Sequence, residues 1–527
     1  MGVYEDIIGA RCALGMEFGS TRIKAVLIDS TCAPIASGSF DWENQLSDEG
    51  YFIYPLEEAE AGMQAAYAAL KESVRRQYGV PLHALAAIGI SGMMHGYLPF
   101  DEGGALLTPF RTWRNTNTAR AAHALSEALN CNIPLRWSVA HLYQALLNGE
   151  AHTRRIAHLT TLAGYIHRRL TGRHVLGIGE ASGMFPVDGR DYDPALLEKA
   201  DALLRAQGLE TPLKALLPPV LLAGENAGAL SGEGALLLDP TGELLPGIPF
   251  CPPEGDAGTG MTATHSIAAH TGNVSAGTSI FAMTVLDRPL RRAYPEIDVA
   301  ATPDGKPVAM VHANTCTSEL DAWVRLWGEI ASAAGAPLPK SALYDLFYQK
   351  ALEGDADCGG LVSFNFHAGE PVCGVENGCP MLLRRPQAAL NASNLARCQL
   401  YASMAAMRMG MDLLREEGVF PRTLVGHGGL FKTPLIGQRL MAGALDIPVT
   451  VLENAGEGGP WGMALLASYM ATRQDGQLLE DYLDRVFAAF GASTQTPDPA
   501  DRAGFSAFMA DYRRALPLAQ EAGALWQ

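Results

Sequence analysis

Residues 13–28 read ALGMEFGSTRIKAVLI. Ala13 to Phe18 and Ile23 to Ile28 are short apolar runs, the pattern of buried strands. Between them Gly19-Ser20-Thr21 forms a tight turn, since glycine accepts backbone angles that a sharp reversal needs. Lys24 interrupts the second run. A glycine turn also lets backbone N–H groups approach an anion without a Cβ in the way. Ser20 and Thr21 add hydroxyl donors, Lys24 adds charge, and Glu17 offers hard oxygen ligands to a hydrated divalent cation. The segment is a candidate cradle for a phosphate and Mg2+. Taken alone it reads first as an ordinary β-hairpin with a glycine turn.

Outward from this hairpin, Pro34 to Trp42 predicts a third strand and the Ala- and Glu-rich residues 57–78 a helix. Leu85 to Ile90 predicts another strand, followed by a Gly-rich turn and Tyr97 to Phe100. Strands alternating with helices define α/β architecture. Residues 119–130, 140–148 and 154–170 carry helical periodicity. Pro246 to Gly260, PGIPFCPPEGDAGTG, is dense in Pro and Gly and marks a junction between two units. The opening pattern then returns: Gly272 to Gly277 is strand-like, Gly277-Thr278-Ser279 is the turn, and Ile280 to Leu286 is a second strand. Two such hairpins suggest a duplicated fold; chance similarity of two short hairpins is the alternative. Beyond position 318 helices dominate, over 391–417, 434–445, from Gly462 and across the final 50 residues. Short strands are expected at Arg422 to Gly426 and Ile447 to Val451.

Composition narrows the function. A chain of 527 residues is long enough for two to four domains at about 100–200 residues each. Its 48% hydrophobic and 18% charged residues exclude disorder over most of the length. Lys and Arg number 39 against 56 Asp and Glu, a net charge of −17, which disfavours broad nucleic-acid or anionic-membrane surfaces. The nine cysteines show neither CxxC pairs nor zinc spacing, so they read as reduced and mostly buried. No basic-then-apolar leader and no run of 18 apolar residues is present, so the expected location is the cytoplasm. Nothing in the pattern fixes the oligomeric state, and a homodimer stays open.

Several other segments carry chemistry. Ser275 to Ser279 repeats the donors of the first turn, and two such loops across a cleft would grip a polyphosphate from both sides. Gly255-Asp256-Ala257-Gly258 sets one carboxylate in a Gly-rich bend, able to accept a hydroxyl proton or merely to close a turn. Ser91-Gly-Met-Met94-His95-Gly96 places His95 at a strand end, where open α/β sheets bind ligands. Phe110-Arg-Thr-Trp113-Arg114-Asn115-Thr116 combines an aromatic face with hydrogen-bond donors suited to a sugar; a core aromatic beside a solvated arginine is the plainer alternative. Two look-alikes are set aside. Gly426 to Thr433 nearly spells a P-loop, but Phe431 replaces the second glycine. Gly258-x-Gly260-x-x-Ala263 follows a Pro-rich segment rather than a strand, unlike a dinucleotide fingerprint.

In order along residues 11–470, these motifs resemble the FGGY family of carbohydrate kinases. Gly15 to Lys24 is similar to its first phosphate motif and Ser91 to Gly96 to the sugar-site segment of its xylulokinase-like branch. Phe110 to Asn115 sits where that branch carries Trp-Asn-Asp. Gly255-Asp256 resembles the catalytic-base motif and Gly277-Thr278 the second phosphate loop. Gly426-His-Gly428-Gly429 resembles the adenosine motif, and Glu457 to Gly462 the Gly-rich segment closing the nucleotide site.

The resemblance implies two RNase H-like domains of the actin/Hsp70/hexokinase type with the active site between them: residues 11–262 for sugar and 263–527 for nucleotide. It implies ATP-dependent phosphorylation of a small sugar, a ketose such as a pentulose or a related polyol. Asp256 would be the base, and Met94, His95, Trp113, Arg114, Asn115 and Asp256 would meet the sugar. Gly19, Ser20, Thr21, Lys24, Gly277, Thr278, Ser279, Gly426, Gly428 and Gly429 would meet ATP, and Glu17 would stand near Mg2+. Two departures matter. Most relatives carry Asp at Glu17, and one methylene moves the carboxylate by about 1.5 Å. Trp113-Arg114-Asn115 adds a cation where relatives have a carboxylate, which points to an acidic sugar or a differently oriented ketose. The alternatives are a non-catalytic sugar or nucleotide sensor on the same fold, from which the carboxylate of Asp256 argues away, and a chaperone-like or filament-forming ATPase, which needs no sugar pocket.

Overall fold

The computed structural model describes residues 2–453 and 458–526, the side chain of Trp526 excepted. Strand β1 (Ala13–Phe18) pairs antiparallel with β2 (Arg22–Ile28), and β2 with β3 (Pro34–Asp41). Helix α1 (Leu56–Tyr78) then returns the chain so that β4 (Ala87–Gly92) lies parallel to β1, and β5 (Glu254–Gly255) lies parallel to β4. The sheet order is β5-β4-β1-β2-β3. α1 forms because Ala59, Met63, Ala66, Tyr67, Leu70 and Val74 fall on one buried face at helical spacing. Glu57 and Glu58 in its first turn and Arg75 and Arg76 in its last suit the helix dipole, and Gly79 at φ 71° ends it. Fully burying a side chain such as Leu70 contributes about 1.5–3 kcal/mol, and Leu70→Ala costs about 2–5 kcal/mol once the cavity is included.

After α2 (Asp256–Ala263) the topology repeats. β6 (Thr271–Ala276) and β7 (Ile280–Val285) form the second hairpin, followed by β8 (Ile297–Ala301) and β9 (Pro307–Ala313). The long α3 (Ala392–Glu416) leads to β10 (Thr423–His427) and β11 (Val449–Leu452); β10 is parallel to both β6 and β11. With α4 (Gly458–Thr472) and β12 (Ala492–Gln495) the second order is β8-β9-β7-β6-β10-β11-β12. Strands β9-β7-β6-β10-β11 thus match β3-β2-β1-β4-β5 in order and direction. The repeated hairpin is a repeated lobe.

The two sheets share a core. Ala13, Val26 and Ala87 of the first meet Met283 and Val308 of the second through Met261 of α2 and Trp461, Met463 and Leu466 of α4. The late helix α4 packs directly on the first strand: a Cβ at Gly15 would stand 2.1 Å from the Pro460 carbonyl. Apolar burial of this kind fixes how the lobes meet, and so fixes the cleft beside it.

Several expectations need correction. Residues 154–170 are not one helix: a 3-10 turn over Ala151–Arg155, a strand His158–Thr160 and a helix Leu162–Thr171 replace it, because the strand is recruited by Leu98–Phe100. The final 50 residues include β12, paired to β11. Pro246 to Gly260 carries β5 and opens α2, so Asp256 begins a helix rather than a bend. A strand therefore does precede Gly258 and Gly260, but both lie inside α2 and not in its entry turn. All nine cysteines are free, and seven are buried. Among the described residues no helix is long and apolar enough to cross a membrane.

Candidate active site

A cavity of about 430 Å³ lies where the lobes meet, lined by Glu17, Met94, His95, Trp113 and Asp256. The same cavity takes Asn273, Phe281, Met283, His427 and Gly459 from the later chain, together with the cross-lobe residues Arg136 and Asp298. Backbone register explains the gathering. Glu17 on β1 is level with Ser91 on β4, so the strand ends carrying Glu17 and Met94-His95 open at one edge. β5 beside β4 delivers Asp256 to that edge.

Asp256 is the first residue of α2 and is exposed to the cavity between the lobes. Burial away from bulk water raises its pKa; backbone N–H groups of Met94 and Ala257 and the Arg136 guanidinium pull it back. Glu17 is pushed up to about 8, first by burial and then by the Asp256 charge, against a lowering by Lys24. The His95 pKa falls to about 3 through burial and Arg136. Its ring Nδ1 lies 3.1 Å from the Gly183 carbonyl. A carbonyl only accepts, so the proton sits on Nδ1 and Nε2 is left as an acceptor for a hydroxyl. His95 itself has φ 71°, a left-handed conformation that costs a non-glycine residue energy and aims the ring.

The two glycine turns are built from behind. The carbonyl of Gly19 accepts from Trp42 Nε1 at 2.7 Å, that of Ser20 from the Tyr54 hydroxyl at 2.5 Å, and that of Thr21 from Trp42 N at 3.2 Å. In the second lobe the Gly277 carbonyl accepts from Thr317 N and Oγ1, and that of Thr278 from Cys316 N. Gly428, at φ 102°, lies so close to Ala276 that a Cβ would be 2.5 Å from its carbonyl oxygen. Gly428-Gly429 and Gly277 therefore adjoin. Gly426 faces the Phe431 ring, 2.6 Å from where a Cβ would be. The residues Gly19, Ser20, Thr21, Lys24, Gly277, Thr278, Ser279, Gly426, Gly428 and Gly429 lie outside the cavity lining.

Two predicted sugar contacts stand elsewhere. The Arg114 guanidinium lies over the Phe52 ring, 4.3 Å from its centroid, and donates to Asn44 Oδ1 at 3.0 Å. Asn115 is buried and engages backbone: its Oδ1 accepts from Phe52 N, while Nδ2 donates to the Phe52 and Thr112 carbonyls. Trp113 alone of that segment reaches the cavity. Glu457, in the Gly-rich closing segment, lies outside the described residues; Gly458 and Gly459 line the cavity.

Sequence reasoning passed over Arg136, Trp137, Asp298, Glu180 and Glu254. Arg136-Trp137 repeats the cation–aromatic pairing of Trp113-Arg114 and was visible on that ground; nothing marks Asp298. Glu254 accepts from the backbone N–H groups of Gly179 and Glu180 and is pushed up to about 8 by burial. The fully buried Glu180 carboxylate, behind Gly255, is raised well above its ordinary range for the same reason.

Comparison with known proteins agrees with this geometry. The family model for the N-terminal domain of FGGY carbohydrate kinases matches residues 12–257, and that for the C-terminal domain matches residues 272–471. The chain belongs to the FGGY family of carbohydrate kinases. It is a carbohydrate kinase. A xylulose kinase of Haemophilus influenzae is 22% identical over 456 residues, 84% of this chain and 87% of that protein. The ligand-bound xylulose kinase structure from Lactobacillus acidophilus superposes with a TM-score of 0.79 at 16% identity, covering 98% of this chain and all of that one. A gluconate kinase structure from the same organism gives 0.78 at 16% identity, with coverage of 98% and 100%.

Proposed function

We propose that the chain transfers the γ-phosphoryl group of ATP to a hydroxyl of a small neutral sugar, a pentulose or a related polyol, with Asp256 as general base. The observation that carries this is the meeting of Asp256, Glu17 and a neutral His95 in one interlobe cavity. Asp256 accepts the acceptor's proton as its oxygen bonds to the γ-phosphorus and the bond to the β-phosphate oxygen breaks, releasing ADP. His95 Nε2 and the face of Trp113 orient the acceptor. The turns at Gly19-Ser20-Thr21 with Lys24, at Gly277-Thr278-Ser279 and at Gly426 to Gly429 hold the nucleotide. In this scheme residues 11–262 carry the sugar and 263–527 the nucleotide.

The charge balance supports a neutral acceptor. Arg136 is paired with Asp298 and Arg114 is turned onto Phe52, so among the described residues lining the cavity no uncompensated cation awaits a sugar carboxylate. Mg2+ fits as a companion of the nucleotide. Among the described residues no group of three His, Cys, Asp or Glu is placed to hold a metal by itself. The crowded carboxylates of Glu17 and Asp256, each with a raised pKa, suit a cation brought in on phosphates. Glu17 would stand nearest it, and the ion would neutralise charge on the β- and γ-phosphates.

The test is ADP release measured across a panel of ketoses, polyols and sugar acids. Acceptor-dependent ADP with neutral ketoses or polyols is expected. A flat panel returns the chain to a sensing role, and preference for sugar acids removes the neutral-acceptor argument.

A further inference from the structure

The cavity is walled on one side by an ion pair whose partners come from different lobes. Arg136 precedes the helix Ser138–Leu147 of the first lobe, and Asp298 lies on edge strand β8 of the second. The Arg136 guanidinium donates to Asp298 Oδ2. Asn132 Nδ2 donates to Asp298 Oδ1 at 3.1 Å and to the Ile297 carbonyl at 3.0 Å. Farther along the same strand, Ala301 N donates to Ser182 Oγ at 3.1 Å. One edge strand of the second lobe is thus docked along the first lobe at three points beside the site. Arg136 is tied to the acceptor machinery as well: its carbonyl accepts from Gly96 N at 3.0 Å, next to His95.

Neither side chain is sealed. Arg136 keeps 28% and Asp298 19% of its side-chain surface accessible, and both line the cavity that holds Asp256. A guanidinium has five N–H donors and a carboxylate about four lone-pair sites, so one ion pair leaves donors and acceptors over on each side. A polyol presents adjacent hydroxyls, each both donor and acceptor, and can engage the two partners together.

We propose that Arg136 and Asp298 form a cross-lobe latch completed by a polyhydroxylated acceptor, so that acceptor binding holds the cleft shut and water is kept from the phosphoryl group. The inference rests on the kinase function proposed above. An ion pair is stronger in a half-buried, poorly hydrated setting than in bulk water, and it dissolves when its lobes part. An acceptor that binds both partners favours the closed state by its differential affinity for that state. Without the latch the lobes close less fully and hydrolysis competes. In that reaction a water oxygen bonds to the γ-phosphorus, the bond to the β-phosphate oxygen breaks, ADP leaves, and the water proton passes to solvent.

The experiment measures ADP and sugar phosphate separately in the full-length protein, with the best acceptor of the panel. Wild type should give one ADP per sugar phosphate. Asp298→Asn should raise the acceptor KM about tenfold or more, leave the ATP KM within about twofold, and raise ADP formed per sugar phosphate. Arg136→Gln should do the same. The double variant should be no worse than either single one, since contacting residues that act as a unit are non-additive. Asn132→Ala, which removes one hold on Asp298 and leaves the ion pair intact, should shift the acceptor KM in the same direction by less and covers the case of a variant that does not fold. Unchanged acceptor KM with one-to-one coupling in Asp298→Asn, or effects that multiply in the double variant, would overturn the latch while wild-type phosphorylation upholds the kinase function. A wild type that phosphorylates no acceptor overturns both.

Discussion

Gly459 lies against the Glu17 carboxylate: a Cβ at position 459 would stand 1.6 Å from Oε2. The two residues are far apart in sequence and meet because the start of α4 crosses the end of β1. In its present conformation the glutamate at position 17 occupies the space that a side chain at position 459 would need.

Gly459→Ala should therefore displace the carboxylate. We expect activity to fall about tenfold or more at limiting Mg2+, less at saturating Mg2+. Alanine is also the better helix former, by about 1 kcal/mol, so loss of helix stability does not account for such a fall. Adding Glu17→Asp, which retracts the carboxylate, should recover part of the activity. Full activity in Gly459→Ala would mean that the position of Glu17 is immaterial.

Asp256→Asn removes the proposed proton acceptor and little volume. Turnover should drop on the order of 10²–10⁴-fold, the usual range for a general base. ATP binding, followed by calorimetry, should stay within a few fold. If nucleotide affinity collapses instead, Asp256 serves the start of α2 rather than the reaction.

The buried carboxylates make a prediction about pH and stability. Glu254 has a folded-state pKa of about 8 against an ordinary value of 4.5. Between those values the folded protein keeps the proton and the unfolded chain has lost it. Its contribution is therefore fully present below about pH 4.5 and is lost as pH rises toward 8. Thermal midpoints should fall across that window, and Glu254→Gln should flatten the fall. An identical pH slope in the variant would show that Glu254 titrates normally.

Trp113 lines the cavity and its neighbour Arg114 does not, so the proposed function expects different effects at the two. Trp113→Ala should raise the acceptor KM several-fold and leave the ATP KM unchanged. Arg114→Ala, whose side chain stacks on Phe52, should change both by less than about twofold. A large acceptor effect at Arg114 would mean that it swings into the cavity during turnover.

Local patterns in the sequence carried both hairpins, α1, α3 and the position of Asp256 as a lone carboxylate among glycines. What they missed depended on distant partners. His158–Thr160 is a strand only because Leu98–Phe100 lies beside it, and β12, with the polar sequence ASTQ, only because β11 does. Asn115 looked like a sugar ligand because its amide could serve one; only the fold shows that the Phe52 backbone already uses it. Arg136 and Asp298 gain meaning from the juxtaposition of two lobes, which no window of sequence contains.

The return of α4 to the first sheet has a consequence for biosynthesis. On a ribosome the strands through β5 emerge long before the segment that covers them, so one face of the nascent sheet stays bare while some 200 further residues are made. At about 5–20 residues per second that interval is about 10–40 s. A chaperone able to shield an apolar sheet for that time would raise the yield of this protein more than one acting after release.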